Sequence, residues 1–360
     1  MEQHDDRHMR ARYYANYLAL EQLLALQNPL TARAGTLGAH DEMLFIIVHQ
    51  TYELWFKEIL HELQACLAVM QDAIDDEGPA LSMVVHRLKR TVDIWKLLNH
   101  QVDILETMTP LDFLDFRASF HGASGFQSRQ FREIEARLGL RMAQRYKGEY
   151  YKHTHSGGLD VDDYTRITEV EHDATMVMCV NRWLERMPFL EPIFWLSPDQ
   201  VDHNLMVTVP AQHPFWHDYR ERYVSSLSAQ DQREERLHDF DAVLLGQGLG
   251  QFTAKALRSA LFIMLYRDEP LFRLPFQLLN ALQEIDEQIG NFRYRHLQMV
   301  RRMIGLRVGT GGTSGADYLE GAVSQNYIFK ELSSIVTYMV ERSRLPALAE
   351  KVKKYLKTGF

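Results

Sequence analysis

The chain contains one long stretch without glycine or proline, DEMLFIIVHQTYELWFKEILHELQACLAVMQDAIDDE, which spans residues 41–77 and decides the fold class. Apolar side chains recur in it at spacings of three and four residues, the repeat of one face of an α-helix. One stripe of this face holds a histidine among apolar and aromatic residues: Phe45, His49, Tyr52, Phe56, Ile59 and Leu63. The stretch therefore predicts a long amphipathic helix with a histidine on its packed face.

Helical patterning continues beyond this stretch. Gly78-Pro79 breaks the first helix, and a second helical pattern runs to about Met108. Thr109-Pro110-Leu111-Asp112 predicts the start of another helix, because Thr is a good N-cap, Pro suits the first turn and an acid suits the third position. A further helix over 126–138 is expected to end at Gly139, since glycine readily adopts the left-handed conformation of a helix C-cap.

The second half of the chain has the same character. Its apolar spacing predicts helices over 163–187, 275–305 and 318–342. The stretch 189–214 is the least regular part of the sequence and predicts no sheet. We therefore expect an all-α protein, with helix boundaries set by prolines at the starts and glycines at the ends.

The composition is that of an ordinary globular protein, with 46% hydrophobic and 24% charged residues. No internal repeat or low-complexity linker divides it, so we predict one large, mostly helical domain over residues 1–360. The net charge of −8 argues against a nucleic-acid partner. The apolar runs are too short for a membrane span, and the polar N-terminus lacks the apolar core of a signal peptide. Because Cys66 and Cys179 are the only cysteines, we expect a cytoplasmic protein without a disulfide framework.

Two histidines share the same setting on separate predicted helices. His296 lies on an apolar stripe of the helix over 275–305, as His49 does on the first long helix. An axial haem ligand needs a neutral imidazole on a rigid helix among apolar side chains. Taken singly, each could instead be a core histidine with a hydrogen-bond partner. The pair raises the possibility of a cofactor site.

Two further features suit an anion. The glycine-rich stretch GTGGTSG at 309–315 is not a nucleotide-binding loop, because no lysine follows it, but its hydroxyls and N–H groups suit a carboxylate. A plain flexible connection is the alternative. Arg117, beside Phe113 and Phe116, could clamp a carboxylate bidentately or be a surface residue with a packed stem. His153-Thr154-His155 has no third ligand nearby, so we expect no metal there.

Three groups of motifs follow one another along the chain: LFI at 44–46 with HQTYELWFK at 49–57, FLDFR at 113–117 with ASGFQS at 123–128, and FRYRH at 292–296 with MIG at 303–305 and GTGG at 309–312. In this order they resemble three parts of the tryptophan 2,3-dioxygenase family. These parts are the helix of the distal pocket, the substrate segment, and the proximal haem helix with the carboxylate loop. The resemblance is weakest in a variable region that we place at 140–250.

The resemblance implies an all-helical homotetramer with haem b, whose active form is ferrous. By position, His296 would be the proximal iron ligand, and His49 would be the catalytic distal residue near the indole N–H. The other expected substrate-binding residues are Phe45 and Phe113 as apolar walls, Arg117 and Thr310 at the substrate carboxylate, Ser124 near haem and substrate, and Tyr14, Tyr17 and Leu18. These last three lie in an N-terminal segment, 1–35, that such enzymes pack on a neighbouring subunit.

Two departures from the family pattern stand near the expected site. Thr313 replaces a usual serine and keeps the hydroxyl, whereas His121-Gly122 replaces a more usual Ser-Pro or Gly-Pro pair.

The reaction that the resemblance implies is cleavage of the indole C2–C3 bond of L-tryptophan by dioxygen to N-formylkynurenine, a step of tryptophan catabolism in the kynurenine pathway. Two alternatives stay open: a related haem monooxygenase or hydroxylase acting on a modified aromatic amino acid, and a haem-binding helical protein without activity.

Overall fold

Helices make up the regular structure of this protein. The computed structural model describes residues 13–32, 38–72, 78–119, 125–141, 144–146, 148, 159–196, 213–228, 232–305, 307 and 315–358. The α-helices are α1 (Tyr14–Tyr17), α2 (Leu20–Leu24), α3 (His40–Met70), α4 (Pro79–Leu105), α5 (Pro110–Arg117), α6 (Arg129–Leu138), α7 (Val161–His172), α8 (Met176–Glu185), α9 (Pro214–Ser226), α10 (Arg233–Phe240), α11 (Ala254–Leu265), α12 (Arg273–Ile304), α13 (Gly315–Gln325), α14 (Lys330–Ser334) and α15 (Glu350–Thr358).

Short 3-10 turns and one π-helix supplement these α-helices. The 3-10 turns are Gly125–Gln127, Pro188–Leu190, Pro192–Phe194, Pro270–Phe272, Ile335–Tyr338 and Arg342–Arg344, and Asp241–Gly246 forms a π-helix. Within the described ranges, extended backbone pairs only in one isolated bridge between Leu249 and Phe252. The predicted all-α class is therefore confirmed. No helix among the described residues is long and apolar enough to cross a membrane.

The centre of the molecule is α4, which packs against both α3 and α12. Trp95 of α4 is fully buried where the three helices meet. Its ring centroid lies 5.8 Å from that of Phe56 on α3 and 5.7 Å from that of Phe292 on α12. Large aromatic side chains dominate the energy of such cores because each removes a large apolar area from water. This cluster fixes α3 and α12 relative to each other.

Several residues predicted from the sequence to start or end a helix do so in the structure. Thr109 caps α5 in a reciprocal capping box, in which the Asp112 N–H donates to Thr109 Oγ1 and the Thr109 N–H donates to Asp112 Oδ2. Gly139 ends α6 with a φ of 118°. The long helix predicted over 275–305 is α12, with Pro275 in its first turn. These elements are set by residues within or next to them.

Two predicted helices are broken in the structure. The helix expected over 163–187 is two helices, because Asp173 takes an extended conformation and Thr175 caps α8 by accepting the Met178 N–H. The prediction of one continuous helix over 318–342 is also wrong. There the Asp286 carboxylate on α12 accepts backbone N–H groups of Ile328 and Phe329 and so competes with a continuous helix.

The N-terminal segment lies on the outside of the described chain. Tyr14 and Tyr17 are each 69% exposed, and neither α1 nor α2 contains a buried residue. The segment is tethered behind these helices, where the backbone N–H groups of Leu30 and Thr31 donate to the buried carboxylate of Glu42 at 2.7 and 2.9 Å. An apolar surface that a single chain leaves exposed is typical of an interface.

Candidate functional site

A cavity of about 330 Å³ lies between α3, α4, α5, α6, α12 and α13. Its size falls in the range of small-molecule and cofactor sites, about 300–1,000 Å³. Most of its wall is apolar, from side chains that include Phe45, Phe56, Val102, Leu105, Met299 and Met303. Ten of the lining residues carry polar or charged side chains, and both histidines singled out in the sequence are among them. The cavity therefore suits a ligand that is mostly apolar and carries a few polar groups.

His49 borders the cavity from α3 in a defined tautomer. Its Nδ1 lies 2.7 Å from the carbonyl oxygen of Phe45, one turn earlier in the helix. A carbonyl oxygen only accepts hydrogen bonds, so Nδ1 carries the proton, and Nε2 of the neutral ring is left as an acceptor. The His49 side chain is exposed at the cavity, but the protein around it still lowers the pKa of His49 by desolvation, against the opposing effects of the bond to Phe45 and the charge of Glu53. His49 is thus a neutral imidazole at neutral pH.

His296 borders the same cavity from α12. Its ring is nearly parallel to that of Phe292, with the centroids 6.0 Å apart. Burial, with a smaller contribution from the nearby His49, lowers the pKa of His296 to about 4. A neutral imidazole held on a helix among apolar side chains is the form in which histidine binds a metal. The structure therefore brings the two predicted histidines together at one cavity.

The aromatic ridge of α5 packs on the turn of α3 that precedes His49. The Phe45 ring centroid lies 6.0 Å from that of Phe113 and 5.5 Å from that of Phe116. Arg117, in the last turn of α5, lines the cavity beside Phe113. Its side chain is therefore at the cavity wall rather than on the outer surface. Its role at the substrate carboxylate stays a prediction.

Three of the predicted site residues that the structure describes do not line this cavity. Tyr14, Tyr17 and Leu18 are exposed on the outside. Ser124 and Thr310 lie outside the described residues, as do Thr313 and the three other histidines considered: His121, His153 and His155. Their roles stay predictions from the family resemblance.

A buried charge cluster at the cavity wall was not predicted from the sequence. Glu135 is fully buried and accepts hydrogen bonds from Arg132 at 3.0 Å and from Arg145 and Arg293 at 2.7 Å each. Burial alone would raise the pKa of Glu135, but the three guanidinium groups outweigh it and lower the pKa to about 2. Arg145 also lies 3.9 Å from Glu171. The cluster keeps more positive than negative charge next to the cavity.

One local signal could have pointed to this cluster. Arg132 and Glu135 are three residues apart on α6, on the side of the helix that also buries Leu138. A charged pair on a packed helix face needs further partners, because unpaired buried charge is costly. The partners themselves are distant in sequence, so the pattern within α6 does not identify them.

These features define a class of protein: an all-helical protein whose apolar cavity is bounded by two neutral histidines and a positively charged wall. The family model described as tryptophan 2,3-dioxygenase matches residues 1–339. The chain is 39% identical to the tryptophan 2,3-dioxygenase of Alteromonas mediterranea, with 97% of each chain covered. It is 40% identical to that of Dictyostelium discoideum, covering 96% of this chain and 88% of the relative. For the mouse enzyme the identity is 39%, with 96% and 86% covered. The chain belongs to the tryptophan 2,3-dioxygenase family.

The burial of the Glu135 cluster generates a stability prediction. Glu135→Gln should lower the free energy of unfolding by about 3–5 kcal/mol, because it leaves buried guanidinium groups facing a neutral amide. Glu133→Gln on the same helix is the matched control. Its partners Arg129 and Arg166 are 47% and 53% exposed, so they can turn to water, and the expected loss is about 1 kcal/mol or less. Urea unfolding at neutral pH measures both, and equal losses would contradict the assignment.

Proposed function

We propose that this chain catalyses the haem-dependent cleavage of the indole C2–C3 bond of L-tryptophan by dioxygen, giving N-formylkynurenine. The observation that carries the proposal is the apolar cavity that His49 and His296 share, in a chain of this family. The relatives bear the name of the dioxygenase, which favours this reaction over a haem monooxygenase and over a haem-binding protein without activity.

The residues of the cavity fit haem b. His296 offers a neutral imidazole on a rigid helix, and Phe292, Met299 and Met303 surround it with apolar surface. Arg132 and Arg293 bring positive charge to the wall, which suits the two carboxylates of a haem. His296 would hold the iron, and this wall, which stays positively charged although its arginines pair with Glu135, would face the carboxylates. When bound, ferrous haem supplies the binding and activation of dioxygen.

The remaining residues of the cavity bind and orient the substrate. Nε2 of His49 accepts the indole N–H, because Nδ1 is committed to the helix backbone. Phe45 and Phe113 provide apolar walls that exclude water from the indole. As the family resemblance implies, Arg117 would pair with the substrate carboxylate, assisted by the Thr310 hydroxyl, and Ser124 would lie near haem and substrate. Because the substrate is held at its indole N–H and at its carboxylate, its C2–C3 bond keeps the position and orientation in the cavity that the reaction needs.

Haem binding is tested first. His296→Ala should lose most of its haem, because the imidazole ligand fixed on α12 anchors the iron. His49→Ala is the matched control, since it removes a histidine from the same cavity without removing a ligand, and it should keep its haem. The haem-to-protein ratio and the absorbance spectrum measure both, before and after L-tryptophan is added. Full haem occupancy with an unchanged spectrum in His296→Ala would rule out His296 as the ligand.

The role of Arg117 is tested with two substrates. Arg117→Ala should lower kcat/KM for L-tryptophan by about 30-fold or more, because a charge-assisted pair in a partly dry pocket is worth roughly 2–5 kcal/mol. Tryptamine has no carboxylate and should be affected much less. Thr310→Val should show the same selectivity with a smaller loss. Arg182→Ala, which removes an exposed arginine on α8, is the control. A loss of less than about threefold in a haem-loaded Arg117→Ala protein would exclude Arg117 from the site.

We also propose that the chain forms a homotetramer in the cytoplasm, in which Tyr14, Tyr17 and Leu18 close the cavity of a neighbouring subunit. The support is the exposure of these residues, 41% for Leu18 and 69% for each tyrosine. Light scattering at micromolar concentration should give the mass of four chains, and Tyr14→Ala with Tyr17→Ala should raise KM for L-tryptophan. A fully active monomer would contradict the proposal.

A further inference from the structure

An exposed apolar patch on α3 and α4 takes no part in the candidate site. Four side chains, each between 44% and 54% exposed, form this α3–α4 patch: Ile47 and Leu54 on α3, and Leu97 and Ile104 on α4. The wall of the cavity contains none of them. Single apolar residues are normal on a protein surface, whereas a contiguous group of them indicates an interaction site.

One hydrogen bond between the two helices shows that the four side chains are contiguous. Gln101 Nε2 of α4 donates to Thr51 Oγ1 of α3 at 2.6 Å. On α3, the patch residues lie four positions before and three positions after Thr51, so they flank it along the helix. On α4, the patch residues have the same spacing about Gln101. The two apolar pairs therefore meet across this hydrogen bond.

The N-terminal segment leaves α3 at the edge of the patch. Gln50 lies between Ile47 and Leu54 at helical spacing, on the same face of α3. Gln27 Nε2 donates to Gln50 Oε1 at 2.6 Å, and Gln50 Nε2 donates to the backbone oxygen of Leu26 at 3.1 Å. The residues before this attachment belong to α1 and α2, neither of which contains a buried residue. The segment therefore extends outward from a point next to the patch.

We propose that the α3–α4 patch is an interface with a second copy of this chain. The neighbouring subunit that the N-terminal segment reaches must lie beside the point where the segment leaves α3, and the patch is the apolar surface at that point. A two-fold interface brings the same surface of both copies together, so the surface must be complementary to itself. Branched aliphatic side chains meet this condition, because a copy of the patch brings no like charge against them.

This inference rests on the proposed function, since the assembly in which neighbouring segments close the cavities is part of that proposal. It adds the surface through which two copies meet. Its readouts are the mass of the assembly and the cross-linking of its chains, which require neither haem nor turnover.

The first test introduces charge into the patch and leaves the buried residues unchanged. Leu97→Glu with Ile104→Glu should raise the concentration at which half of the assembly dissociates by about 100-fold or more, because the interface would bury like charges. Val336→Glu is the matched control, since it charges an apolar side chain of similar exposure, 52%, outside the patch, and it should leave this concentration unchanged. Sedimentation velocity over a dilution series measures both, and circular dichroism confirms that each variant is folded.

The second test uses cysteine cross-linking in an otherwise unchanged surface. Cys66 and Cys179 are the only natural cysteines and both are buried, so an introduced surface cysteine supplies the reactive thiol. Leu97→Cys or Ile104→Cys, treated with a short bis-maleimide, should give covalent dimers on a denaturing gel. Val336→Cys at the same concentration is the control and should stay monomeric on the gel.

The outcomes separate this inference from the proposed function. A folded Leu97→Glu, Ile104→Glu variant that stays assembled like the parent protein, or equal dissociation of Val336→Glu, would overturn the inference. If the charged variant does not fold, failure of both cysteine variants to cross-link would overturn it instead. A parent protein that is a monomer would contradict the proposed assembly together with the patch. An assembled, haem-loaded protein that does not turn over L-tryptophan would contradict only the proposed reaction.

Discussion

The packing of α3 and α12 against α4 is the constraint on which the candidate site depends. Trp95 contacts an aromatic ring from each of these helices, and the Tyr52 and Phe292 rings of α3 and α12 lie 5.5 Å apart. His49 precedes Tyr52 by three residues, and His296 follows Phe292 by four. Because a helix is rigid over one turn, the aromatic cluster determines where both imidazoles meet the cavity. The core and the site are therefore built by the same contacts.

Electrostatics divides the cavity into two kinds of wall. Around the histidines, desolvation opposes protonation and keeps both imidazoles neutral. At Glu135 the charged form is favoured instead, because three guanidinium groups keep the carboxylate ionised in spite of its burial. A ligand with a flat apolar body and a negatively charged edge matches both walls. Haem b, with its two carboxylates along one edge, would have this distribution of charge under the proposed function.

The sequence predicted those parts of the fold whose causes are local. The cap at Thr109, the end at Gly139 and the span of α12 each follow from a few neighbouring residues. The interruption after α13 was not predictable in this way, because it depends on Asp286, which is 42 residues from Ile328.

The same distinction applies to the candidate site. The apolar stripes around His49 and His296 marked both residues, but only the resemblance to a family placed them together before the structure did. Glu135 was missed because Arg293, one of its partners, is 158 residues away.

The most direct test of the proposed function follows the oxygen atoms. The haem-loaded, reduced protein is supplied with L-tryptophan and ¹⁸O₂, and the product is identified by mass spectrometry. Cleavage of the C2–C3 bond predicts N-formylkynurenine that carries both labelled oxygen atoms. A product with one labelled atom and an intact indole ring would show a monooxygenase, and absence of any product from a protein that holds its haem would contradict an enzymatic role for this cavity.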